Sequence, residues 1–221
     1  LMLPLLSANT FDISEDTTWS GNITLDSDVV VASGSTLTIE PGTVIDGGYG
    51  HAIEVLGTLI VADAHLLSSA SPTAQSSHGQ GLWQGIVVSA GGHATLTNVT
   101  IENANVGVKS YGSLFANEVT VTDAYFAVKN YGQSYRTNLP TDSIDYDAVL
   151  NQGDTIIQDA ELTNSSTGIY TAGTLTATNI SMGHVGTGVA AISGVATVDN
   201  VVFSDVSVGL GSSQGVKFSA S

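Results

Sequence analysis

The chain has 221 residues, which is the size of one elongated all-β domain and does not require a second domain. Its 20 acidic and 4 basic residues give a net charge of −16, so it lacks the clusters of Lys and Arg with which proteins bind nucleic acids or anionic membranes. The absence of Cys excludes disulfides and thiol chemistry, and no apolar run is long enough to span a membrane.

The first 20 residues precede the regular pattern of the chain and are predicted to form a separate N-terminal segment, 1–20. The apolar side chains with which this segment could contact other strands are Leu1, Leu3, Leu5, Leu6 and Phe11. Such a segment can cover the first coil of its own chain, or it can pair with a neighbouring subunit as a donated strand. Residues 21–221 are predicted to form one continuous domain.

A repeat of about 21 residues organises the chain from residue 21 onward. A small residue followed by an aliphatic one recurs at intervals of 20 to 22 residues between Gly85 and Gly209, with two looser members before it. The aliphatic residues of this column are Val30, Ile53, Ile86, Val108, Val128, Val149, Ile169, Val189 and Leu210. A Gly follows each of them at a nearly constant distance, namely Gly34, Gly57, Gly92, Gly112, Gly132, Gly153, Gly173, Gly194 and Gly215. Repetition at this period indicates a stack of similar coils.

A polar column predicts one corner of each coil. Its members each lie six residues after the repeated Gly, and they are Glu40, Asp63, Asn98, Glu118, Asn138, Asp159, Asn179 and Asn200. Asn and Asp tolerate the backbone dihedrals of turns, and the apolar residues that follow at alternate positions are typical of a strand with one buried face. A further polar column is predicted to be a solvated face, and its members are Asn103, Asp123, Ser143, Asn164, His184 and Asp205.

These columns predict short strands separated by turns, with no helix. A repeat of this length is too short for a four-stranded propeller blade, and it lacks the leucine-rich pattern. It fits one turn of a three-sided coil, in which each strand pairs in parallel with its copy in the next coil. The predicted fold class is all-β, a single-stranded right-handed parallel β-helix (β-solenoid) of about nine coils. A loop insertion is predicted at 68–81 and an irregular coil at 133–147.

Two segments resemble known proteins of this fold. Residues 34–46, Gly-Ser-Thr-Leu-Thr-Ile-Glu-Pro-Gly-Thr-Val-Ile-Asp, resemble the opening coils of large secreted right-handed β-helix proteins. Residues 82–88, Leu-Trp-Gln-Gly-Ile-Val-Val, are similar to a further coil of the same group, and the resemblance covers about residues 20–215. This pectate-lyase-like superfold includes pectate lyases, polygalacturonases, phage tailspikes, adhesins and plain surface proteins. The resemblance therefore implies the fold and an extracellular or cell-surface location, but no particular activity.

Four residues are candidates for carbohydrate binding. Lys109 and Lys129 occupy the same position in two successive repeats, and so do Tyr111 and Tyr131. When stacked, they would form a basic and aromatic strip that could bind an acidic sugar, and polysaccharide lyases of this fold need a basic residue as proton acceptor. The alternative is that the two coils share a duplicated surface without a ligand. The β-helix hydrolases place an adjacent pair of Asp on one strand, and this sequence contains no Asp-Asp pair.

Three aspartates that lie close together in the sequence are a candidate calcium site, namely Asp142, Asp145 and Asp147. Ca²⁺ takes six to eight oxygen ligands from loops of this kind, although the spacing does not match an EF-hand. No cofactor other than Ca²⁺ is predicted.

Four Asn-X-Ser/Thr sequences are candidate sites of N-glycosylation in an exported protein, and they begin at Asn22, Asn98, Asn164 and Asn179. Asn98 and Asn179 also belong to the polar corner column, so a structural role accounts for them equally well.

End-to-end assembly is predicted from the two ends of the repeat. The last repeat is not followed by a predicted helix or polar cap, which leaves strand edges that can pair with another chain. With the apolar residues of the N-terminal segment, Leu210 and Phe218 are the predicted contacts of a head-to-tail homopolymer.

The sequence thus predicts an extracellular structural or surface module that assembles into a filament or surface layer and is not an enzyme. The alternative is a carbohydrate-binding or polysaccharide-cleaving β-helix protein, with surface glycans as its partner. The strip of Lys and Tyr favours this alternative, whereas the missing Asp pair and the uncapped ends favour the structural function.

Overall fold

The computed structural model describes residues 10–69 and 83–212, together with the backbone of residues 217–220. All regular structure in these residues is β-strand, and none of them forms a helix of the length and apolarity that a membrane span requires. In chain order the strands are β1 (Thr10–Ile13), β2 (Thr17–Trp19), β3 (Asn22–Thr24), β4 (Asp28–Val31), β5 (Thr36–Ile39), β6 (Val44–Asp46), β7 (Ala52–Val55), β8 (Thr58–Leu67), β9 (Gly85–Val88), β10 (His93–Glu102), β11 (Val106–Ser110), β12 (Ser113–Ala124), β13 (Phe126–Asn130), β14 (Gln133–Thr137), β15 (Pro140–Asn151), β16 (Asp154–Thr171), β17 (Thr174–Ala191), β18 (Val195–Ser204), β19 (Val208–Ser212) and β20 (Lys217–Ala220).

The strands form three parallel sheets that run the length of the stack, because each coil contributes a strand, or part of a long strand, to each sheet. The first sheet contains β1, β4, β7, β9, β11, β13, the ends of β15, β16 and β17, and β19. The second contains β2, β5, β14, β20 and the starts of β8, β10, β12, β16, β17 and β18. The third contains β3, β6 and the remaining parts of the long strands. The predicted parallel β-helix of about nine coils is confirmed.

A ladder of aliphatic side chains fills the interior behind the first sheet. Val108, Val128, Val149, Ile169 and Val189 are register partners in successive coils, and each is at most 1% exposed. The burial of these five side chains confirms the predicted column. Removing them from water in every coil stabilises the stack. The column differs at its start, where the buried partner of Ile53 is Val29 and the predicted Val30 faces outward.

The repeated Gly reflects a close approach of the backbones of neighbouring coils. A Cβ added at Gly153 would lie 2.1 Å from the carbonyl oxygen of Gly132, a distance that real Cβ atoms essentially never show. An equivalent clash, at 2.1 to 2.3 Å from a carbonyl oxygen of the preceding coil, occurs at Gly57, Gly92, Gly112, Gly132, Gly173 and Gly194. The column is therefore Gly because no other residue fits between the coils at this point.

Both polar columns lie at corners of the coil. Every predicted corner residue except Glu40 has a φ between 49° and 56°, and these residues are Asp63, Asn98, Glu118, Asn138, Asp159, Asn179 and Asn200. The column predicted as a solvated face is the next corner, with φ between 49° and 55° at Asn103, Asp123, Ser143, Asn164, His184 and Asp205. The left-handed region favours Asn and Asp among residues with a side chain, which explains the composition of both columns.

Three segments were predicted to depart from the repeat. Coil 133–147 is regular apart from one register shift between Ile144 and Asp147, where the chain holds the extra residue of this repeat. Of segment 1–20, residues 1–9 lie outside the described residues, and Phe11 is the register partner of Val29 in the first coil. Of loop 68–81, only 68 and 69 are described.

Polar side chains replace aliphatic ones on one inward column of the middle coils. Val31, Val55 and Val88 are followed in this column by Ser110, Asn130, Asn151 and Thr171. Asn130 Nδ2 donates to Asn151 Oδ1 at 3.1 Å, and Asn151 Nδ2 donates to Thr171 Oγ1 at 3.0 Å. All four of these polar side chains are fully buried, so hydrogen bonds from coil to coil take over part of the packing role of the Val residues.

Candidate functional site

The four residues predicted to bind carbohydrate come together on the outer face and adjoining corner of the first sheet, and we call them the Lys–Tyr strip (Lys109, Tyr111, Lys129, Tyr131). Lys109 and Lys129 are register partners on β11 and β13. The rings of Tyr111 and Tyr131 stack with centroids 4.8 Å apart and an interplanar angle of 14°. Lys109 Nζ lies 5.2 Å from the centroid of the Tyr111 ring, within the range of a cation–π contact.

Three further aromatic residues lie beside the strip and were not predicted. In this aromatic cluster (Tyr125, Phe126, Tyr146), the ring of Tyr146 stacks on Phe126 at 5.5 Å and on Tyr125 at 5.1 Å between centroids. Lys129 Nζ lies 3.4 Å from the centroid of Phe126, which joins the cluster to the strip. Tyr125 and Tyr146 are 21 residues apart in the sequence, so the spacing that identified the other columns could have revealed this one.

Asp147 and Lys129 form the charged part of this site. Burial raises the pKa of Asp147, and a hydrogen bond with Thr167 and the charge of Lys129 only partly oppose that shift. Burial also lowers the pKa of Lys129, the positive charge of Lys109 lowers it further, and Asp147 counteracts both. The two groups therefore have a reduced tendency to carry charge, and they lie within electrostatic range of each other.

The strip holds all of the Lys and Arg charge that the described side chains expose. The chain has only four such residues, and of the other two Arg136 is fully buried and the side chain of Lys217 lies outside the described residues. In a molecule with a net charge of −16, two adjacent cations on one face make this the place where an anionic ligand is attracted.

A second aromatic pair lies on the outer face of the second sheet. Phe115 and Tyr135 stack with centroids 5.6 Å apart, and Tyr135 Oη donates to Gln158 Oε1 at 2.7 Å. With Ile156 and Thr176 they line an open groove of about 510 Å³. Asp154 is the one charged residue among those that line it. This groove thus offers aromatic contact without a cation.

The three aspartates of the predicted calcium site do not converge. Asp142 lies on the outer face of the third sheet and accepts hydrogen bonds from Asn164 Nδ2 at 2.5 Å and from the Ser143 backbone at 2.9 Å. The chain turns a corner after Asp142, which carries Asp145 and Asp147 away from it onto the next side of the coil. Across the described part of the chain, no group of three or more His, Asp or Glu side chains is placed to hold a metal ion.

The four Asn residues of the glycosylation sequences are all exposed. Asn22 lies on β3, whereas the other three are corner residues whose Nδ2 groups donate to a carboxylate of the preceding coil. The acceptors are Asp63 for Asn98, Asp142 for Asn164 and Asp159 for Asn179. Glycan attachment at these three would compete with a hydrogen bond between coils.

The residues predicted to mediate assembly are only partly described. Leu1, Leu3, Leu5 and Leu6, and the side chain of Phe218, lie outside the described residues. Phe11 is 54% exposed in the first coil beside Trp19, and Leu210 is 42% exposed in the last described coil of the first sheet. These exposed apolar side chains lie at opposite ends of the stack.

No protein-family model and no curated protein matches the chain. Among solved structures, the enzymatically active domain of tailspike protein 2 from bacteriophage CBA120 covers 96% of this chain at 12% identity, with a TM-score of 0.44. The catalytic domain of a GH87 α-1,3-glucanase in complex with nigerose covers 96% at 10% identity, with a TM-score of 0.48. The chain spans 39% and 62% of those two domains.

The prediction that the chain is not an enzyme does not stand, because the fold that the chain shares with these two structures is also the fold of catalytic domains. The missing Asp-Asp pair, which with the uncapped ends was the basis of that prediction, excludes one arrangement of hydrolase carboxylates and leaves other chemistry open. At 10 to 12% identity the likeness concerns the fold alone, so the substrates of those proteins do not transfer to this chain.

Proposed function

We propose that this chain is a carbohydrate-active β-helix protein that binds an acidic polysaccharide along the Lys–Tyr strip. The observation that carries the proposal is the concentration of exposed Lys charge at Lys109 and Lys129 in an otherwise acidic molecule. A uronate carboxylate gains most from this position, because the two ammonium groups repel each other until an anion lies between them.

The aromatic residues supply the second part of the recognition. Tyr111 is 44% and Tyr146 is 51% exposed, so both present ring surface and a hydroxyl group to a ligand that lies against the first sheet. Amphipathic rings of this kind contact the apolar faces of sugars and donate to their hydroxyl groups. The strip and the aromatic cluster lie on successive coils, which suits a chain-like ligand better than a single sugar.

The opposite pKa shifts of Lys129 and Asp147 favour cleavage of the bound glycan by β-elimination. Because its pKa is lowered, Lys129 loses its proton more readily than an ordinary Lys, and in that form Lys129 Nζ accepts the C5 proton of a uronate, while the electron pair of the C5–H bond forms the C4–C5 double bond. The C4–O4 bond breaks, and the departing oxygen takes a proton from the carboxyl group of Asp147, whose pKa is raised by burial so that it is protonated over a wider pH range than an ordinary Asp. Lys109 contacts the uronate carboxylate, and no further reactant is required.

The experiment is incubation with polygalacturonate and alginate, followed by measurement of binding and of unsaturated products. Lys129→Ala should abolish product formation, whereas Lys109→Ala should weaken binding of the acidic glycans by about tenfold, the effect of about 1.4 kcal/mol in one ion pair. Tyr135→Ala, in the stacked pair without a cation, is the control that should change neither. Equal affinity for acidic and neutral glycans, or unchanged affinity in Lys109→Ala, contradicts the proposal.

An extracellular or cell-surface location follows from the proposed ligand, since acidic polysaccharides are found there. End-to-end assembly into a filament stays a separate prediction, for which the exposure of Leu210 is the relevant observation. Sedimentation of the purified chain at increasing salt concentration measures it, because salt screens the repulsion between acidic molecules.

A further inference from the structure

Arg136 carries its guanidinium group into the interior of the stack. On β14 it occupies an inward column whose other members in adjacent coils are Leu96, Ala116, Ile157 and Ala177. Arg136 is 0% exposed, like the Leu and Ile residues of the same column. A charged residue thus takes a position that the rest of the repeat reserves for apolar side chains.

None of the three guanidinium nitrogens has a hydrogen-bond partner among the described residues. The other buried polar side chains in the described part of the chain are Ser, Thr and Asn, so no buried carboxylate neutralises Arg136. Three further polar atoms in this part of the stack are also buried without a partner, Thr141 Oγ1 and Asn130 Oδ1 in the same coil and Ser110 Oγ in the coil before it. These groups together offer several N–H and O–H donors and no negative charge.

A buried cation is stabilised either by losing its proton or by acquiring a counter-ion. Burial lowers the pKa of Arg136 to about 9, which leaves the guanidinium protonated at neutral pH. Loss of the proton therefore does not stabilise Arg136 at neutral pH. Because the described interior contains no carboxylate, the negative charge has to come from outside the chain.

We propose that the coil containing Arg136 holds a small inorganic anion of the size of chloride, bound by the unpartnered guanidinium N–H groups of Arg136. The register partner of Arg136 in the preceding coil is Ala116, where the coil before that has the larger Leu96, so the column has its smallest side chain next to Arg136 on that side. The surrounding sheets are continuous, which favours a monatomic anion over a polyatomic one. This interior site is distinct from the Lys–Tyr strip and does not depend on the proposed glycan binding.

Thermal unfolding in chloride compared with gluconate, at constant ionic strength, tests the proposal. The melting temperature of the native sequence should rise saturably with chloride, because an anion that binds only the folded state stabilises it by mass action. Arg136→Met, which keeps the length of the side chain and removes the charge, should abolish this rise. Ile157→Met is the matched control in the next coil, and it should keep the full response to chloride. The same response in Arg136→Met and the native sequence overturns the proposal.

Crystals grown in bromide give a direct test that does not need the variant to fold. An anomalous peak within hydrogen-bond distance of the Arg136 guanidinium group is the expected result. A bromide-containing crystal with no anomalous peak there, or a native protein whose melting temperature is the same in chloride and gluconate, overturns the proposal even if Arg136→Met fails to fold.

Discussion

At Gly153 the space between two coils is only large enough for the hydrogen atom that glycine carries in place of a side chain. Its backbone passes so close to Gly132 that a methyl group would overlap the carbonyl oxygen at 2.1 Å, and the obstacle is backbone, which cannot rotate away. The same contact recurs along the column, so each of these Gly residues fixes how closely two coils can stack. Their role is packing, and backbone flexibility is not required for it.

Gly153→Ala should lower the free energy of unfolding by about 1–3 kcal/mol, the usual cost of forcing extra atoms into a packed site. Gly211→Ala is the matched control, because a Cβ at Gly211 meets its nearest atoms at 3.8 and 4.0 Å, an ordinary contact. Urea unfolding measured on both variants separates the two sites. Equal stabilities would mean that the coils can move apart at Gly153 at little cost.

The buried Asn130 and Asn151 act as one element that links three successive coils. Asn151 donates to Thr171 Oγ1 and to the Thr174 carbonyl oxygen, and its Oδ1 accepts from Asn130 and Thr155. Each amide therefore provides partners for its neighbours, although Asn130 Oδ1 is itself buried without a partner, and removal of Asn151 takes a hydrogen bond from several buried groups.

Asn151→Val introduces the side chain that earlier coils carry in the same column, and it should still destabilise the protein by about 1–3 kcal/mol because the Thr174 carbonyl oxygen and the buried Thr155 hydroxyl group each lose a hydrogen bond with Asn151. The double variant Asn130→Val/Asn151→Val should cost less than the sum of the two single variants, since the hydrogen bond between the two amides is lost in each single variant but only once in the double variant. Chemical denaturation of the four proteins gives this coupling. Additive effects would show that the two amides act independently.

The elements that repeat could be predicted from the sequence, and those that break the repeat could not. The Val108 to Val189 column and the corner residues follow from one spacing, because each coil has to satisfy the same packing and turn requirements as the last. The 21-residue spacing of Tyr125 and Tyr146 was sufficient to predict their stacking, but the position of Asp147 depends on the register shift after Ile144, which a one-residue change in spacing does not locate. Arg136 was missed because a charged side chain is ordinarily expected at the surface, and only the pairing of β14 places it inside.

At the scale of the whole molecule, acidic groups act on stability in opposite directions. Mutual repulsion of a net charge of −16 opposes compact folding at neutral pH, and burial adds to this at Asp147. Asp142, in contrast, is held in its ionised form, chiefly by the hydrogen bond from Asn164, which lowers its pKa. As pH rises, ionisation of Asp147 therefore lowers the stability of the fold, whereas ionisation of Asp142 increases it.

The effects of Asp147 and Asp142 on the free energy of unfolding can be separated with matched Asn variants. Because the folded-state pKa of Asp147 is raised, the folded state binds the proton more tightly, and stability falls as pH rises from the ordinary value of 3.8 through the raised value. Asp147→Asn should therefore raise the melting temperature at neutral pH and leave it unchanged in acid.

Asp142 has a lowered pKa, so its contribution to stability is present above pH 3.8 and is lost as pH falls through the folded-state pKa. Asp142→Asn should accordingly lower the melting temperature at neutral pH, with the difference disappearing in acid. Changes of the same sign at neutral pH would contradict the opposite placement of these two carboxyl groups.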